Sequence, residues 1–214
     1  MMLPSRIESV VIASPHTDDG EISAGGTISK FIDQGLDIHY IGFSSCEKSV
    51  PDCYPNDILK GECISALAEL GIEKGNILLY NFEVREFAKF RQDILDRLVT
   101  IARELQPDLV ICPSSFDTHQ DHIVVHDECI RAFKKGSSIW GMEHPWNNIS
   151  FRTDIFIRLS QRDVERKVRS LSKYSSQSHR DYFNERYIMA CAYTRGMNIG
   201  VEFAEVFENI RTIL

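Results

Sequence analysis

Four side chains that could take part in catalysis lie within six positions near the start of the chain. The stretch SPHTDDGEISAGGT, residues 14–27, contains His16, Asp18, Asp19 and Glu21 directly after a short apolar run. Imidazole and carboxylate groups are ligands for zinc, and carboxylates also act as general bases. A polar turn of this composition also commonly ends a strand and caps the next helix. This stretch alone therefore leaves a metal site and a structural turn as alternatives.

A second cluster of the same chemical type occurs much later in the chain. The stretch FDTHQDH contains His119, Asp121 and His122. A hydrolytic zinc site takes three protein ligands and keeps one coordination position open for water. His16 and Asp19, together with either His119 or His122, supply that number of ligands. The spacing does not decide between the two histidines.

The remaining polar groups of the two clusters have roles in such a site. A tight turn can direct positions i and i+3 to one point, which leaves Asp18 to accept a proton from water as a general base. The histidine of the second stretch that does not bind the metal would donate to a developing oxyanion, and Asp121 would keep it protonated. The pattern therefore predicts a metal-dependent hydrolase.

Strands that alternate with helices must position both clusters. Apolar, β-branched runs predict strands at 7–14, 37–44, 76–82 and 109–112, and helical spacing predicts helices at 27–35, 58–71 and 89–105 between them. Farther along, the pattern predicts strands near Ile139 and at 153–159, followed by helices at 161–174 and 181–195. Residues 203–214 carry apolar side chains at helical spacing, and we expect them to pack in the core.

This order of elements predicts an α/β, Rossmann-like three-layer fold, with a mostly parallel sheet and helices on both faces, in a single domain over 1–214. Ligands of such sheets bind beyond the carboxyl ends of the strands, at the point between the first and fourth strands where the strand order reverses. The two histidine stretches follow these two strands. The fold therefore brings the clusters together.

The composition excludes several classes of protein. The chain has 24 Lys and Arg against 31 Asp and Glu, a net charge of −7, which argues against a nucleic-acid partner. Its six cysteines form no CxxC pair, so we expect reduced thiols. No apolar run approaches the ~20 residues that a membrane span needs, and the start of the chain has no pattern of a secretory signal. We therefore expect a soluble, cytoplasmic protein without a membrane span.

Together, the two stretches resemble the motifs of the LmbE-like/PIG-L family of zinc-dependent de-N-acetylases. That family opens on a strand ending in AHPDDE, followed by GGT, and carries HPDH downstream; the matching stretches here are SPHTDDGEISAGGTI and FDTHQDH. The resemblance covers roughly residues 8–135, although Thr17 replaces the usual proline and Gly20 stands where the family often has glutamate. It implies removal of an N-acetyl group from an N-acetylated sugar or glycoconjugate of the N-acetylglucosamine type, with Zn2+, or else Fe2+ or Co2+, as cofactor.

The resemblance also implies roles for individual residues. The metal ligands would be two histidines and one carboxylate: His16, Asp19 and His122. Asp18 would be the general base. His119 would be the protonated histidine that stabilises the oxyanion, and Asp121 would be its partner.

For several other residues the sequence supports only less specific predictions. Arg85 is a weak match to an arginine that contacts substrate in the family, and His179 lies in a loop from which it can line the pocket. His126 and His144 can be either structural or part of the site. We expect Glu21 to lie behind the ligands or at the surface, and not to bind the metal.

Two alternative functions fit the same residues. One is a non-catalytic homologue that binds a sugar or a metal. The other is a metal-dependent phosphoesterase, which would need a carboxylate bridging to a second metal, and Glu21 is the candidate nearest in sequence. In each case the partner is a small molecule, and a homo-oligomer is compatible with the sequence.

Overall fold

The structure, a computed structural model, describes residues 7–213, so residues 1–6 and 214 of the predicted domain lie outside the described residues. The strands are β1 (Ser9–His16), β2 (Asp37–Ser44), β3 (Ile77–Leu79), β4 (Leu109–Pro113), β5 (Ser138–Met142), β6 (Ile155–Leu159) and β7 (Phe203–Arg211). The helices are α1 (Asp19–Asp33), α2 (Ile58–Leu70), α3 (Arg91–Leu105), α4 (Gln120–Ala132), α5 (Gln161–Leu171) and α6 (Glu185–Met197). Short 3₁₀ helices occur at Glu47–Ser49, Lys74–Asn76, Phe87–Phe90, Ser175–Gln177 and Asp181–Phe183.

The strands form one sheet in the order β3-β2-β1-β4-β5-β7-β6. The first five strands of the chain pair in parallel, and β7 runs antiparallel to both β5 and β6. Val10 and Ile12 of β1 pack in one apolar cluster with α1, α2 and α5, and Val11 and Ala13 pack on the opposite face with α3 and α4. The predicted α/β three-layer fold is therefore confirmed.

Helix α1 begins earlier than the sequence pattern predicts. It starts at Asp19 and not near residue 27, so Gly25 and Gly26 lie inside the helix and not before it. A Cβ atom at Gly25 would lie 2.9 Å from Cγ of Lys167 in α5, and one at Gly26 would lie 2.5 Å from Cδ1 of Leu159 in β6. The glycines are present because α5 and β6 approach the α1 backbone too closely for a side chain.

The helical spacing of residues 203–214 is misleading, because Phe203–Arg211 form β7. The side chains of Phe203, Val206, Phe207 and Ile210 recur at i, i+3, i+4 and i+7, as on one side of a helix. A strand between two others, with both faces covered, also shows a nearly continuous apolar run without alternation. The spacing therefore does not indicate a helix here, whereas the expected burial in the core is confirmed for Phe203 and Phe207.

Smaller differences concern the edge of the sheet and the cysteines. Strand β3 covers only Ile77–Leu79, although backbone hydrogen bonds from Tyr80 and Phe82 to β2 extend its contact with the sheet. All six cysteines are free thiols. No helix within residues 7–213 combines the length and the apolar character needed to cross a bilayer.

Candidate active site

The first histidine stretch forms the turn from β1 into α1. His16 is the last residue of β1, and Asp19 is the first residue of α1, with its Oδ2 accepting a hydrogen bond from the His16 backbone N–H at 2.9 Å. Asp18 occupies the N-cap position, but its side chain makes no capping hydrogen bond. A purely structural turn would use that carboxylate as the cap. Asp18 instead lines the cleft described below.

The second stretch forms the start of α4, directly after β4. His119 is the N-cap residue, and its Nδ1 accepts a hydrogen bond from the Asp121 backbone N–H at 3.2 Å. The His119 backbone N–H donates to Oδ1 of Asp117 at 2.8 Å. Because β1 and β4 are neighbouring parallel strands, the first turns of α1 and α4 lie at the same edge of the sheet.

Donor atoms from the two stretches converge on one point. Nδ1 of His16 lies 3.0 Å from Oδ2 of Asp19, Nε2 of His122 lies 3.2 Å from the same oxygen, and the two nitrogens are 3.3 Å apart. Ligands of a tetrahedral metal at bond lengths of about 2.0–2.1 Å are roughly 3.3 Å from one another. All three side chains are buried. The residues present therefore fit a divalent metal.

Two overlapping groups extend this centre. Donor atoms lie within 4.8 Å of one another in each of two further sets: His16, His119 and His122, and Asp19, His122 and His144. Glu21 belongs to neither set.

Each of the two histidines in the tight triangle is backed by a carboxylate. Nε2 of His16 lies 3.1 Å from Oδ2 of Asp121, and Nδ1 of His122 lies 2.7 Å from Oδ2 of Asp117. Metal-binding histidines characteristically direct their second ring nitrogen to such a group, which fixes the tautomer and the ring orientation. We expected the Asp121 carboxylate to pair with His119. It lies against His16 instead, and the backbone N–H of Asp121 donates to His119.

The carboxylates favour positive charge at this centre. Burial lowers the pKa of His16, but the charge of Asp19 and the hydrogen bonds to Asp121 and Asp19 raise it to about 10. For His122, burial also lowers the pKa, whereas Asp19 and Asp117 raise it to about 9. The same negative groups would stabilise a bound dication.

His119 differs from these two histidines in its charge. Burial, together with the positive charges of His122 and His16, lowers the pKa of His119 to about 4. The hydrogen bond that Nδ1 accepts also requires that atom to carry no proton, so the ring proton resides on Nε2. The sequence led us to expect a protonated His119. The lowered pKa instead favours a neutral imidazole at neutral pH, with Nε2–H as the donor.

Asp18 has the environment of a base. Burial and the neighbouring charge of Asp19 raise the pKa of Asp18 to about 6, against the opposing charge of His16. A carboxylate with this pKa is mostly ionised at neutral pH and accepts a proton more readily than an ordinary aspartate.

The metal triangle lies in a cleft of about 340 Å³. Asp18, His119 and Arg85 are among the residues that line it, whereas His179 is exposed and is not among them. The backbone of Arg85 has a left-handed φ of 71°, and its N–H donates to Oδ2 of Asp121 at 2.6 Å. Arg85 thus orients the carboxylate behind His16 through its main chain, and it is also one of the residues that line the cleft.

Glu21 lies beneath the first turn and is fully buried. Tyr40 donates a short hydrogen bond to its Oε2, and Tyr174 donates to its Oε1 at 2.7 Å. Both tyrosine hydroxyls also lie within hydrogen-bond distance of the Thr17 carbonyl, at 3.0 and 2.6 Å. Glu21 therefore supports the turn that carries His16 and Asp19, and nothing in its contacts favours the bridging role that a phosphoesterase would need.

Sequence reasoning missed Asp117 and left His144 open. His144 is fully buried; its Nδ1 lies 3.2 Å from Oδ2 of Asp117, and its Nε2 lies 3.5 Å from Oδ1 of Asp19. Asp117 stands two residues before His119, a spacing that could have suggested it, whereas His144 follows β5 by two residues without any local signal. His126, the other open case, is structural, because its Nδ1 lies 2.8 Å from the carbonyl oxygen of Pro113.

Comparisons with known proteins identify a family. Residues 11–133 match the family model described as PIG-L, GlcNAc-PI de-N-acetylase. Diacetylchitobiose deacetylase of Thermococcus kodakarensis is 25% identical over 222 residues, which covers 93% of this chain and 82% of that protein.

Solved structures share the fold at lower identity. N,N'-diacetylchitobiose deacetylase from Pyrococcus horikoshii superposes with a TM-score of 0.79 at 22% identity, over 94% of this chain and 83% of that one. GalB, the 4-carboxy-2-hydroxymuconate hydratase from Pseudomonas putida, superposes with a TM-score of 0.77 at 20% identity, over 97% of this chain and 98% of that one. Because one of these proteins is a deacetylase and the other a hydratase, the fold alone does not specify the reaction.

Proposed function

This chain belongs to the PIG-L family of GlcNAc-PI de-N-acetylases, and we propose that it is a metal-dependent hydrolase that removes the acetyl group from an N-acetylated sugar. The products are a free amine and acetate. Family membership confirms the resemblance carried by the two histidine stretches. We further propose that the chain acts as one catalytic domain on a small-molecule substrate, in the cytoplasm.

One observation carries the metal centre in this proposal. His16, Asp19 and His122 place three donor atoms within 3.3 Å of one another, and a carboxylate backs the second nitrogen of each histidine. His119 has no such carboxylate, because its Nδ1 faces a backbone N–H. This difference supports His122, and not His119, as the ligand from the second stretch.

A set of two imidazoles and one carboxylate suits Zn2+, which we propose as the cofactor, although Fe2+ and Co2+ accept the same ligands. When bound there, the metal would supply Lewis acidity for the amide carbonyl and lower the pKa of a water molecule to about 7.

The chain's own residues perform the proton transfers. Asp18 accepts the proton of the attacking water, for which its pKa of about 6 is well matched at neutral pH. His119 keeps its ring proton and donates a hydrogen bond from Nε2–H to the oxygen that becomes negative as the tetrahedral intermediate forms on the substrate. The amine then leaves with the proton that Asp18 has received. In this scheme His119 acts without a positive charge of its own.

The substitution Asp18→Asn tests the proposal. We expect turnover to fall by about 10²–10⁴-fold, the usual contribution of a general base, whereas zinc content should stay at the wild-type level, because Asp18 is not a ligand. The assay measures acetate release from N-acetylglucosamine and N,N'-diacetylchitobiose, and metal analysis measures zinc.

Asp33→Asn is the matched control, because Asp33 lies at the other end of α1 and pairs with Arg166 at the surface. Full activity in Asp18→Asn would refute the assignment of the base. Absence of acetate release by the zinc-loaded wild-type protein from every N-acetylated sugar would instead favour the non-catalytic homologue.

A further inference from the structure

One wall of the cleft takes no part in the reaction scheme above. Its members come from two segments that are distant in sequence, one after β5 and one between α5 and α6. They are Trp146, Asn147, Gln177, Arg180 and Tyr182. We call this set the recognition wall. It faces the same cleft as Asp18 and His119, so a substrate bound for hydrolysis lies against it.

The aromatic part of the recognition wall is flat and fixed. The rings of Trp146 and Tyr182 are stacked, with centroids 4.3 Å apart and planes 11° from parallel. Arg180 donates a hydrogen bond to the Tyr182 hydroxyl at 2.8 Å, which holds that ring in place. Trp146 nevertheless remains 41% exposed. An exposed, preorganised aromatic surface beside a polar cleft suits the apolar C–H face of a sugar ring, because both partners bury apolar area on contact.

The charged part of the recognition wall is Arg180. Its Nε is buried and has no hydrogen-bond partner. Among residues 7–213 no carboxylate lies within ion-pair distance of its guanidinium. A buried N–H donor of a charged group that has no acceptor costs free energy, and a bound ligand that accepts its hydrogen bond removes that cost. Arg85 also lines the cleft and likewise has no ion pair in the described part of the chain.

The acidic side chains within residues 7–213 form no ion pair with either arginine of the cleft. Acidic residues outnumber basic ones, 31 to 24, and ion pairs engage many of the other arginines, as between Arg195 and Glu143 or Arg166 and Asp33. Guanidinium groups bind phosphate and carboxylate groups in a planar, two-pronged geometry. The charge of Arg180 also lowers the pKa of Asp18, but without an ion pair both arginines of the cleft are available to bind an anion.

We propose that the recognition wall selects an N-acetylated sugar that carries an anionic substituent, either phosphate or carboxylate. The sugar ring lies against the Trp146–Tyr182 pair, and the anionic group binds Arg180, with Arg85 adding positive charge across the cleft. This inference rests on the proposed de-N-acetylase activity and names the class of sugar on which it acts.

Kinetics on matched substrates test the proposal. The zinc-loaded protein is assayed for acetate release from methyl N-acetylglucosaminide, N-acetylglucosamine 1-phosphate and N-acetylglucosaminuronic acid. We expect kcat/KM to be about 10-fold to 100-fold higher for at least one anionic sugar than for the neutral one, because a hydrogen bond to a charged group usually strengthens binding by about this factor. The better of the two anionic sugars identifies the group as phosphate or carboxylate.

Arg180→Gln should remove this preference mainly through a higher KM for the anionic sugar, and Arg180→Lys should restore part of it. Arg103→Gln is the control, because Arg103 lies in the last turn of α3, at the opposite edge of the sheet, and should preserve the preference. Equal kcat/KM for neutral and anionic sugars would overturn the proposal. So would an Arg180→Gln variant that lowers kcat/KM equally for all three sugars.

A binding measurement separates this inference from the proposed activity. In the Asp18→Asn background, calorimetry should show tighter binding of N-acetylglucosamine 1-phosphate or N-acetylglucosaminuronic acid than of the methyl glycoside, and the added Arg180→Gln change should abolish the difference. If no sugar releases acetate while this binding preference persists, the proposed activity fails and the anion site stands. If acetate is released but no binding preference appears, the anion site fails and the activity stands.

Discussion

Replacing Asp117 by asparagine is expected to weaken metal binding while the fold is retained. Asp117 is buried, with its Oδ1 accepting from the His119 backbone N–H at 2.8 Å and its Oδ2 lying 2.7 Å from Nδ1 of His122. Burial raises the pKa of this carboxyl, but the hydrogen bonds from His122 and His144 have the larger effect. The pKa of Asp117 therefore lies well below its ordinary range. Asp117 is therefore a carboxylate that accepts on both oxygens.

An asparagine side chain can accept on one side only. If its oxygen faces His122, its NH₂ group meets the His119 backbone N–H, and one buried donor loses its partner. If its NH₂ group faces His122, Nδ1 must accept, and the ring proton moves to Nε2, the atom that would bind the metal. Either arrangement costs about 1–3 kcal/mol, in line with the 10-fold to 100-fold loss of affinity that is typical when such a partner of a metal ligand is removed.

The assay is competition for zinc against a chromophoric chelator at neutral pH, with circular dichroism to check that the variant is folded. Asp127→Asn is the matched control, because Asp127 lies on α4, the helix that carries His122, is partly exposed and pairs with Arg91 at 2.8 Å. We expect a zinc Kd about 10-fold to 100-fold higher for Asp117→Asn and unchanged for Asp127→Asn. Wild-type affinity in a folded Asp117→Asn protein would refute the reasoning that Asp117 orients a ligand.

Two further predictions concern stability. Burial raises the pKa of Glu21 to about 8 from an ordinary value of 4.5, against the hydrogen bonds from Tyr40 and Tyr174. Between pH 4.5 and 8 the folded protein therefore binds a proton at Glu21 that the unfolded chain does not bind. The contribution of Glu21 to stability falls as the pH rises through this range. We therefore expect the free energy of unfolding of Glu21→Gln, measured in urea, to rise relative to that of the wild type by up to about 1.4 kcal/mol per pH unit over this range. A difference between the two proteins that does not vary with pH would contradict the raised pKa. At Arg85, where φ is 71°, Arg85→Val should be about 1–2 kcal/mol less stable than Arg85→Gly, because a left-handed backbone strains a β-branched residue and not glycine; equal unfolding midpoints would exclude such strain.

Much of the centre could be predicted because it depends on local sequence and on one topological rule. The run before His16 predicts a buried strand, and the run before FDTHQDH predicts another. Parallel strands at the point where the strand order reverses bring their carboxyl ends together. The meeting of His16, Asp19 and His122 at one edge of the sheet follows from these facts.

Other features could not be read from local patterns. The start of α1 was misplaced because Gly25 and Gly26 look like a loop until the close approach of α5 and β6 is known. The last strand was not predicted, because burial on both faces removes the alternation that would identify β7. Asp121 was assigned to His119, its neighbour in sequence, although its carboxylate lies against His16, from the other stretch.

The sequence by itself determined the fold class, the family motifs and the residue types that can bind a metal and move a proton. Only the tertiary structure decided which groups surround them: Asp117 behind His122, His144 beside Asp19, the tyrosines around Glu21, and the wall of Trp146, Arg180 and Tyr182. The physical reason is range. Helix and strand periodicity depends on neighbours a few positions apart, whereas the orientation of a ligand and the recognition of a substrate depend on side chains that the fold brings together from distant parts of the chain.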